Sequence, residues 1–291
     1  MQDKMGMSEG ERRALLTIVD LALAEDVGPG DLTSSALVPE DRSSEGRFVA
    51  KANGVLAGVE AARAVFEQVD PHVSFVQQLG DGSLLVPGAE IARVAGPSRG
   101  LLAGERTALN FLQRMSGVAT LTRRFVDAVE GTRAAIFDTR KTIPGFRLLD
   151  KYSVRAGGGR NHRKGLHDQV LIKENHLAAG GGLRAGEAVR MARAAAPGVV
   201  VEVEVENLDE FRDALAAGPD VIMLDDMSPD EVRQAMSIRG AARVPEIEVS
   251  GGVRLENVRE IALLGVDRIS VGALTHSAPA LDISMKTRLK A

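Results

Sequence analysis

The sequence predicts an α/β protein in which a small mixed α/β unit precedes a parallel βα barrel or nearly closed barrel. Short strand patterns separated by Gly or Pro occupy residues 45–100, which indicates a compact unit that contains a sheet. From residue 134 onward, short apolar runs alternate with amphipathic helical segments, the pattern of βα units around a parallel sheet. The absence of a dinucleotide fingerprint favours a barrel over a doubly wound sheet.

The first unit is predicted to begin with a helix and to continue as short strands. Apolar residues at helical spacing predict an amphipathic helix over 11–25, which the following Gly-Pro-Gly turn ends. Five strand patterns follow it, namely RFVAKA, GVLAGV, VSFVQQL, SLLVPG and EIARVAG. A long helix is then predicted over 102–129, broken or bent near Ser116-Gly117.

Six strands are predicted in the second unit, with helices between them near 184–195, 208–217, 229–237 and 254–264. Reactive groups in a βα barrel line the C-terminal ends of the strands. These ends should therefore form a polar mouth that faces a ligand. The residues at the predicted ends are Asp138, Thr139, Arg140, Lys141, Lys173, Glu204, Asp225, Ser250, Gly251, Gly252, Gly272 and Ala273.

Composition excludes several classes of protein. A chain of 291 residues with 44% hydrophobic residues is not disordered as a whole. No run approaches the ~18 consecutive apolar residues of a membrane span, and the N-terminus lacks an apolar signal region, so a cytoplasmic protein is expected. The absence of cysteine excludes disulfides, thiolate metal sites and cysteine nucleophiles. A net charge of −4 argues against nucleic-acid binding.

Positive charge is concentrated in one segment of this acidic chain. Residues 140–173 contain nine Lys or Arg residues and two acidic residues, whereas the rest of the chain has an excess of acids. Such a concentration indicates a site for a polyanion. From charge alone, a solvated basic surface without a ligand is equally open.

The motif VEVEVE at 201–206 predicts a face of carboxylates. Side chains of a strand alternate between faces, so Glu202, Glu204 and Glu206 share one face while the valines pack against helices. Carboxylates inside a barrel need lysine, arginine or a metal as counter-charge. Lys173 and Asp225 end the neighbouring strands, which favours a Mg²⁺ site beside a phosphorylated substrate. A structural Lys–Glu network is the alternative.

Glycines at the ends of the last two strands predict a phosphate cradle. Ser250-Gly251-Gly252 and Gly272-Ala273 occupy the usual phosphate position of a barrel, where backbone N–H groups bind the anion. A simple turn is the alternative for the first of these motifs. His162 lies next to Arg163 and favours an anion clamp, because the spacing to His167 suits neither one helix face nor a zinc motif.

The longer motifs resemble those of the quinolinate phosphoribosyltransferase family. The resemblance covers essentially the whole chain in order, and the block from DTRKT to the Asn-His pair is highly specific. The motifs are ERTALNFLQ at 105–113, SGVAT at 116–120, DTRKTIPG at 138–145, GGG at 157–159, NHR at 161–163, LIKENH at 171–176, VEVEVEN at 201–207, MLDD at 223–226, EVSGG at 248–252 and VGALTHS at 271–277.

The resemblance implies an N-terminal α/β sandwich domain at 1–115 and an open or incomplete α/β barrel at 116–275, with the tail 276–291 packing back on the first domain. It implies a homodimer whose site is shared between subunits. It also implies that quinolinate and phosphoribosyl pyrophosphate (PRPP) react with Mg²⁺ present to give nicotinate mononucleotide, pyrophosphate and CO₂. Neither nucleic acid nor membrane is an expected partner.

The resemblance also assigns roles to residues. Arg106 of the partner subunit, Thr139, Arg140, His162 and Arg163 would hold quinolinate. Lys141 and Lys173 would lie between the two substrates. Glu204 and Asp225 would bind the ribose hydroxyls and Mg²⁺, directly or through PRPP, and these four are the expected catalytic residues. Ser250, Gly251, Gly252, Gly272 and Ala273 would hold the 5′-phosphate.

Three alternatives compete with this assignment. A molybdenum-transport-associated paralogue shares related motifs, but the LNFLQ and SGVAT segments favour the biosynthetic enzyme. A nicotinate phosphoribosyltransferase has one substrate carboxylate to bind and would not need the surplus of arginine and histidine. A polyanion-binding protein that is not an enzyme would use stacking aromatic residues, and the basic segment has only Tyr152 and Phe146.

Overall fold

The computed structural model describes residues 6–289, which divide into two compact units. Unit 1 comprises the residues up to 123, the segment 142–158 and the residues from 274 onward. Unit 2 comprises residues 124–141 and 159–273. The sequence boundaries had placed 142–158 in the barrel. This segment instead belongs to unit 1, because Leu149 and Tyr152 are buried in the apolar core of that unit.

Helices and strands alternate along most of the chain. The helices are α1 Glu9–Asp26, α2 Leu32–Leu37, α3 Val59–Val69, α4 Ser98–Ala128, α5 Arg147–Ala156, α6 Glu174–Ala179, α7 Ala185–Ala195, α8 Leu208–Ala217, α9 Pro229–Arg239, α10 Val258–Leu263 and α11 Ala273–His276. The strands are β1 Ser43–Ala50, β2 Gly54–Val55, β3 Ser74–Gln77, β4 Leu84–Leu85, β5 Glu90–Pro97, β6 Ala135–Phe137, β7 Val170–Ile172, β8 Val201–Val205, β9 Val221–Asp225, β10 Glu246–Ser250, β11 Arg268–Ser270 and β12 Ile283–Leu289. Within residues 6–289, no helix combines the length and the apolar character that crossing a bilayer requires.

Unit 1 is built on a four-stranded antiparallel sheet in the order β12-β1-β5-β3. The C-terminal strand β12 pairs with β1, so that Phe48 lies opposite Met285. Helix α1 begins at a capping box in which Ser8 and Glu11 each accept the other's backbone N–H. The buried core of the unit draws on α1, α3, α4 and α5 as well as on this sheet.

Helix α4 runs without interruption through Ser116-Gly117, so the predicted break is wrong. Both residues serve packing instead. The Ser116 hydroxyl accepts the backbone N–H of Ala57 at 3.0 Å. A Cβ atom on Gly117 would lie closer than 3.0 Å to the backbone carbonyl oxygen of Pro279. The small residues at 116 and 117 therefore allow the backbone at Ala57 and at Pro279 to approach α4 closely.

Unit 2 contains a six-stranded parallel sheet in the order β6-β11-β10-β9-β8-β7. From β7 to β11, strands that follow one another in sequence are neighbours, and the first strand β6 lies beside the last strand β11. Barrels have this strand order, whereas in a doubly wound sheet the order of the strands reverses part-way across the sheet. Because β6 and β7 are the two end strands, the predicted open or incomplete barrel is confirmed.

The register of the strands places polar residues on one face of this sheet. Glu202 and Glu204 of β8 share a face with Met223 and Asp225 of β9, and with Glu248 of β10. The valines of β8 occupy the opposite face and are fully buried. The alternation predicted for VEVEV is therefore confirmed, and the carboxylates lie on the inner side of the open barrel.

Candidate active site

The C-terminal ends of the parallel strands bring the predicted residues to one edge of the sheet. Asp225 and Ser250 are paired in register as the last residues of β9 and β10. Glu204 lies opposite Met223, two residues before that level. Lys173 directly follows β7, on the other side of β8. These ends form the mouth of unit 2.

Asp138, directly after β6, holds the loop that contains Asn161-His162-Arg163. Its carboxylate is fully buried. It accepts a hydrogen bond from Asn161 Nδ2 at 2.7 Å and one from the backbone N–H of His162 at 2.8 Å. The backbone N–H of Asp138 also donates to the carbonyl of Arg160 at 3.1 Å. This carboxylate therefore explains why two motifs that are distant in sequence meet at the mouth.

Two arginines lie close together at this point. Arg163 is 92% buried by area, with 8% exposed, and Arg140 is half-buried. Burial first, and then the positive charge of Arg140, lower the pKa of Arg163, while neighbouring acids oppose the shift. Two guanidinium groups held together in a confined place favour the binding of an anion with more than one negative charge.

Lys173 and Glu204 form an ion pair across the ends of β7 and β8. The Glu204 side chain is 11% exposed and that of Lys173 is 41% exposed. The counter-charge that the sequence required for this carboxylate is therefore Lys173. Lys141 is exposed, and its backbone N–H donates to the Thr139 hydroxyl at 3.0 Å, which closes the turn after β6.

A glycine turn follows β10 at the same edge. Gly251 has φ +90° and Gly252 has φ +58°. A Cβ atom on Gly251 would lie closer than 3.0 Å to the Asp226 side chain. A Cβ atom on Gly252 would have its nearest neighbour, Asp226 Oδ1, at 3.8 Å. Asp226 itself has φ +50°. After β11, Gly272 and Ala273 are half-buried at the start of α11.

The basic segment 140–173 is divided between the two units. Arg147, Lys151 and Arg155 lie on α5, which belongs to unit 1. Arg155 there forms an ion pair with Glu11 at 2.8 Å. Only part of the positive charge counted along the sequence therefore belongs to unit 2.

Comparisons with known proteins agree with this geometry. The family model described as quinolinate phosphoribosyl transferase, N-terminal domain, matches residues 31–116, and the model of its C-terminal domain matches residues 118–286. The chain belongs to the quinolinate phosphoribosyltransferase family.

Individual relatives match over nearly their whole length. A probable nicotinate-nucleotide pyrophosphorylase [carboxylating] of Bacillus subtilis is 46% identical over 91% of this chain and 90% of its own. The nicotinate-nucleotide pyrophosphorylase [carboxylating] of Mycobacterium leprae is 44% identical over 96% of this chain and 99% of its own. The solved structure of nicotinate-nucleotide pyrophosphorylase from Francisella tularensis has a TM-score of 0.90 and 38% identity, and the match covers 99% and 100% of the two chains.

Arg106 is the predicted site residue that belongs to unit 1. It lies on α4 with an exposed side chain. Its predicted role as a residue that reaches the partner's site stays a prediction.

The interior of the barrel holds a cluster that the sequence did not reveal. The cluster consists of His162, Glu202 and Glu248, whose potential metal-ligand atoms all lie within 4.8 Å of one another. Among the described residues 6–289, no other group of three or more such residues is as close. His162 Nε2 is 2.9 Å from Glu202 Oε2 and 3.7 Å from Glu248 Oε1. Gln169 Nε2 donates to Glu202 at 2.5 Å, and the Ser270 hydroxyl donates to Glu248. The alternation of β8 and β10 signals buried carboxylates, but not which loop residue meets them.

Glu248 makes the stability of this enzyme depend on pH. Complete burial, and then the charge of Glu202, raise the pKa of the Glu248 carboxyl from 4.5 to about 8. The folded protein therefore holds a proton that the unfolded chain releases, so this contribution to stability is complete below pH 4.5 and lost as the pH rises to about 8. We expect the melting temperature of the wild type to fall by several degrees more than that of Glu248→Gln between about pH 5 and 8.

The Glu248→Gln variant is chosen because an amide keeps an oxygen for the Ser270 hydroxyl and adds a donor toward Glu202. Thermal unfolding across the pH range measures the effect. Other acids whose pKa is raised, such as Asp81, contribute equally to both proteins. Parallel pH profiles of wild type and variant would contradict the raised pKa of Glu248.

Proposed function

We propose that this enzyme transfers the phosphoribosyl group of PRPP to quinolinate and releases CO₂, giving nicotinate mononucleotide and pyrophosphate in de novo NAD biosynthesis. It is thus a nicotinate-nucleotide diphosphorylase (carboxylating), a pentosyltransferase. One observation carries the proposal. Paired arginines, a lysine–carboxylate pair and a glycine turn belong to the mouth of unit 2, and these three elements suit a dicarboxylate, a ribose and a phosphate.

The paired arginines suit the pyridine dicarboxylate. A guanidinium presents parallel N–H donors that match the two oxygens of a carboxylate. Arg140 and Arg163 would each take up a carboxylate, and the negative charge of quinolinate would relieve the repulsion between them. The Thr139 hydroxyl at the adjacent turn would assist. Lys141 and Lys173 would lie between quinolinate and the second substrate.

The other half of the mouth suits PRPP. Glu204 and Asp225 would accept hydrogen bonds from the ribose hydroxyls, as neutral hydroxyl donors pair well with ionised acceptors. Ser250, Gly251, Gly252, Gly272 and Ala273 would surround the 5′-phosphate with backbone N–H groups, because the positive φ of the glycines turns successive amides to one side. Lys173 would lie where the two substrates meet.

The donor set at the mouth fits a Mg²⁺ ion that arrives with the substrate. Mg²⁺ prefers oxygen ligands and is commonly held by one or two carboxylates together with substrate phosphates. Glu204 and Asp225, at adjacent strand ends, would supply those carboxylates. When bound, the ion supplies charge neutralisation for the leaving pyrophosphate.

The residues of the mouth would act mainly by positioning. The pyridine nitrogen of quinolinate attacks C1 of the ribose, the bond to pyrophosphate breaks, and positive charge develops at C1. Alignment of two bound reactants is worth about 7–11 kcal/mol. The lysines would stabilise the charge of the departing group. Loss of CO₂ from C2 follows, with the new pyridinium nitrogen stabilising the electron pair left on C2. C2 then takes up a proton from water, so no side chain need act as a strong base.

The competing assignments are not favoured. The curated relatives carry the name of the carboxylating pyrophosphorylase, which neither the molybdenum-associated paralogue nor a nicotinate phosphoribosyltransferase would share. The structured mouth with an ion pair and buried arginine does not resemble the solvated basic surface of a polyanion-binding protein. A cytoplasmic location is proposed as well, since both substrates are small soluble metabolites.

The deciding experiment offers quinolinate and nicotinate in parallel, each with PRPP and Mg²⁺. We expect nicotinate mononucleotide from quinolinate together with one equivalent of CO₂. Turnover of nicotinate at a comparable rate would contradict the assignment. Omission of Mg²⁺ with a chelator should abolish turnover, and unchanged turnover would contradict the role proposed for the ion.

We also propose a homodimer in which Arg106 of the partner subunit completes each site. The exposed position of Arg106 on α4 supports this proposal. We expect Arg106→Ala and Arg163→Ala to be nearly inactive alone. Mixing them after subunit exchange should restore up to about a quarter of the sites, because each mixed dimer regains one intact site. Failure to restore activity in mixed dimers verified by mass would contradict sharing of the site.

A further inference from the structure

Four residues at the floor of the quinolinate half of the mouth form a closed ring of contacts. The backbone N–H of Arg163 donates to His162 Nδ1 at 2.8 Å. His162 Nε2 lies 2.9 Å from Glu202 Oε2. Gln169 Nε2 donates to the same carboxylate at 2.5 Å, and the backbone carbonyl of Gln169 accepts from Arg163 Nη1 at 3.3 Å. We name these four residues the Glu202 ring.

The ring fixes the protonation pattern of the histidine. Because Nδ1 accepts an N–H, it carries no proton in this arrangement, and the proton of the neutral imidazole is on Nε2. The protonated Nε2 then lies 2.9 Å from the buried carboxylate of Glu202, in an electrostatic contact that lacks hydrogen-bond geometry. Both nitrogens of the His162 imidazole are thus directed at protein groups. The sequence prediction that His162 contacts quinolinate would require one of them to leave its partner.

Burial gives the ring its rigidity. Glu202 is fully buried, and His162 and Arg163 are each 8% exposed. A hydrogen bond made away from water is costly to break, because the separated groups remain unsatisfied. Glu248 lies beside the ring and tends to keep its proton, so it adds little second negative charge to the same space. Glu202 is therefore the anchor to which both branches of the ring attach.

We propose that Glu202 is a positioning residue for the quinolinate site. Through His162 it fixes the backbone of Arg163, and through Gln169 it fixes the carbonyl that orients the Arg163 guanidinium. This inference rests on the proposed function for the identity of the anion. The strand that supplies Glu204 to PRPP thus also supplies, two residues earlier, the support for the arginine that holds the other substrate.

Three variants test the role of the ring. Glu202→Leu removes both acceptor contacts at similar volume, and we expect the KM for quinolinate to rise about tenfold or more with the KM for PRPP within about twofold. Glu202→Gln keeps an oxygen for both donors and should remain within about threefold of the wild type. Gln169→Ala removes one branch at a half-buried position, so it tests the proposal if the leucine variant does not fold, with an expected rise of about threefold.

Gln234→Ala on an exposed turn of α9 is the matched control and should leave both KM values unchanged. Nitrogen-15 shifts of the histidine rings give a readout that needs no turnover. His162, assigned by its loss in His162→Gln, should be the Nε2–H tautomer in the wild type and should become a mixture in Glu202→Leu.

The outcomes separate the two proposals. If the wild type does not turn over quinolinate, the proposed function fails, while the ring is still judged by the tautomer. The positioning role is overturned if His162 is protonated on Nδ1 in the wild type, if Glu202→Gln is as impaired as Glu202→Leu, or if folded Glu202 and Gln169 variants raise both KM values equally or neither.

Discussion

Replacing Arg163 by alanine should lower kcat/KM for quinolinate by about 100-fold or more while the fold survives. The Arg163 side chain is almost fully buried beside a second arginine. A carboxylate that binds there gives up its hydrogen bonds to water, and in the variant no guanidinium replaces them. Removing one of two repelling cations should not destabilise the free enzyme. The same direction is expected for Arg140→Ala, whose side chain is half-buried.

Two measurements test the Arg163 prediction. Initial rates give kcat/KM, and the rise in melting temperature on adding quinolinate reports binding without turnover. Arg163→Lys should be intermediate, because a lysine restores the charge but not the paired donors. Arg160→Ala, three residues earlier and exposed, is the matched control, since the contacts made by its backbone remain. An Arg163→Ala enzyme within threefold of wild type would refute the arginine clamp.

The order of the sheet was predictable because it follows from local signals. Each strand of unit 2 is a short apolar run that ends in a polar residue or glycine, and parallel strands must end at a common edge. Asp225, Ser250 and Lys173 could therefore be assigned to one mouth before any coordinates. The continuous course of α4 was not predictable, because the function of Gly117 lies in its contact with Pro279, far away in sequence.

The contacts between loops and barrel interior were beyond sequence reasoning for a different reason. Strand alternation placed Glu202 and Glu204 on the inner face and offered Lys173 as a counter-charge without saying which of the two it meets. Lys173 pairs with Glu204, while Glu202 meets His162 and Gln169. Which loop residue reaches which level of a barrel depends on loop geometry. The spacing of residues along the sequence does not encode that geometry.

Replacing Gly251 by alanine should raise the KM for PRPP by about tenfold or more and lower the melting temperature by a few degrees. A residue with a side chain at φ +90° is strained by about 1–3 kcal/mol. The added Cβ would also collide with the Asp226 carboxylate and approach its backbone nitrogen at 3.0 Å. The turn must move, and the amides proposed to bind the 5′-phosphate move with it.

Gly252→Ala separates backbone strain from the collision with Asp226. Its φ of +58° lies in the left-handed region, and the atom nearest to the new Cβ is 3.8 Å away. It should show a conformational penalty of about 1–2 kcal/mol at most. In the double variant Gly251→Ala/Asp226→Gly, the clashing carboxylate is gone and glycine suits the φ +50° at 226, so part of the PRPP affinity should return. If Gly251→Ala and Gly252→Ala were equally impaired and removal of the carboxylate restored nothing, the contact with Asp226 would not be what shapes this turn. The affinity loss would then have to come from backbone conformation alone.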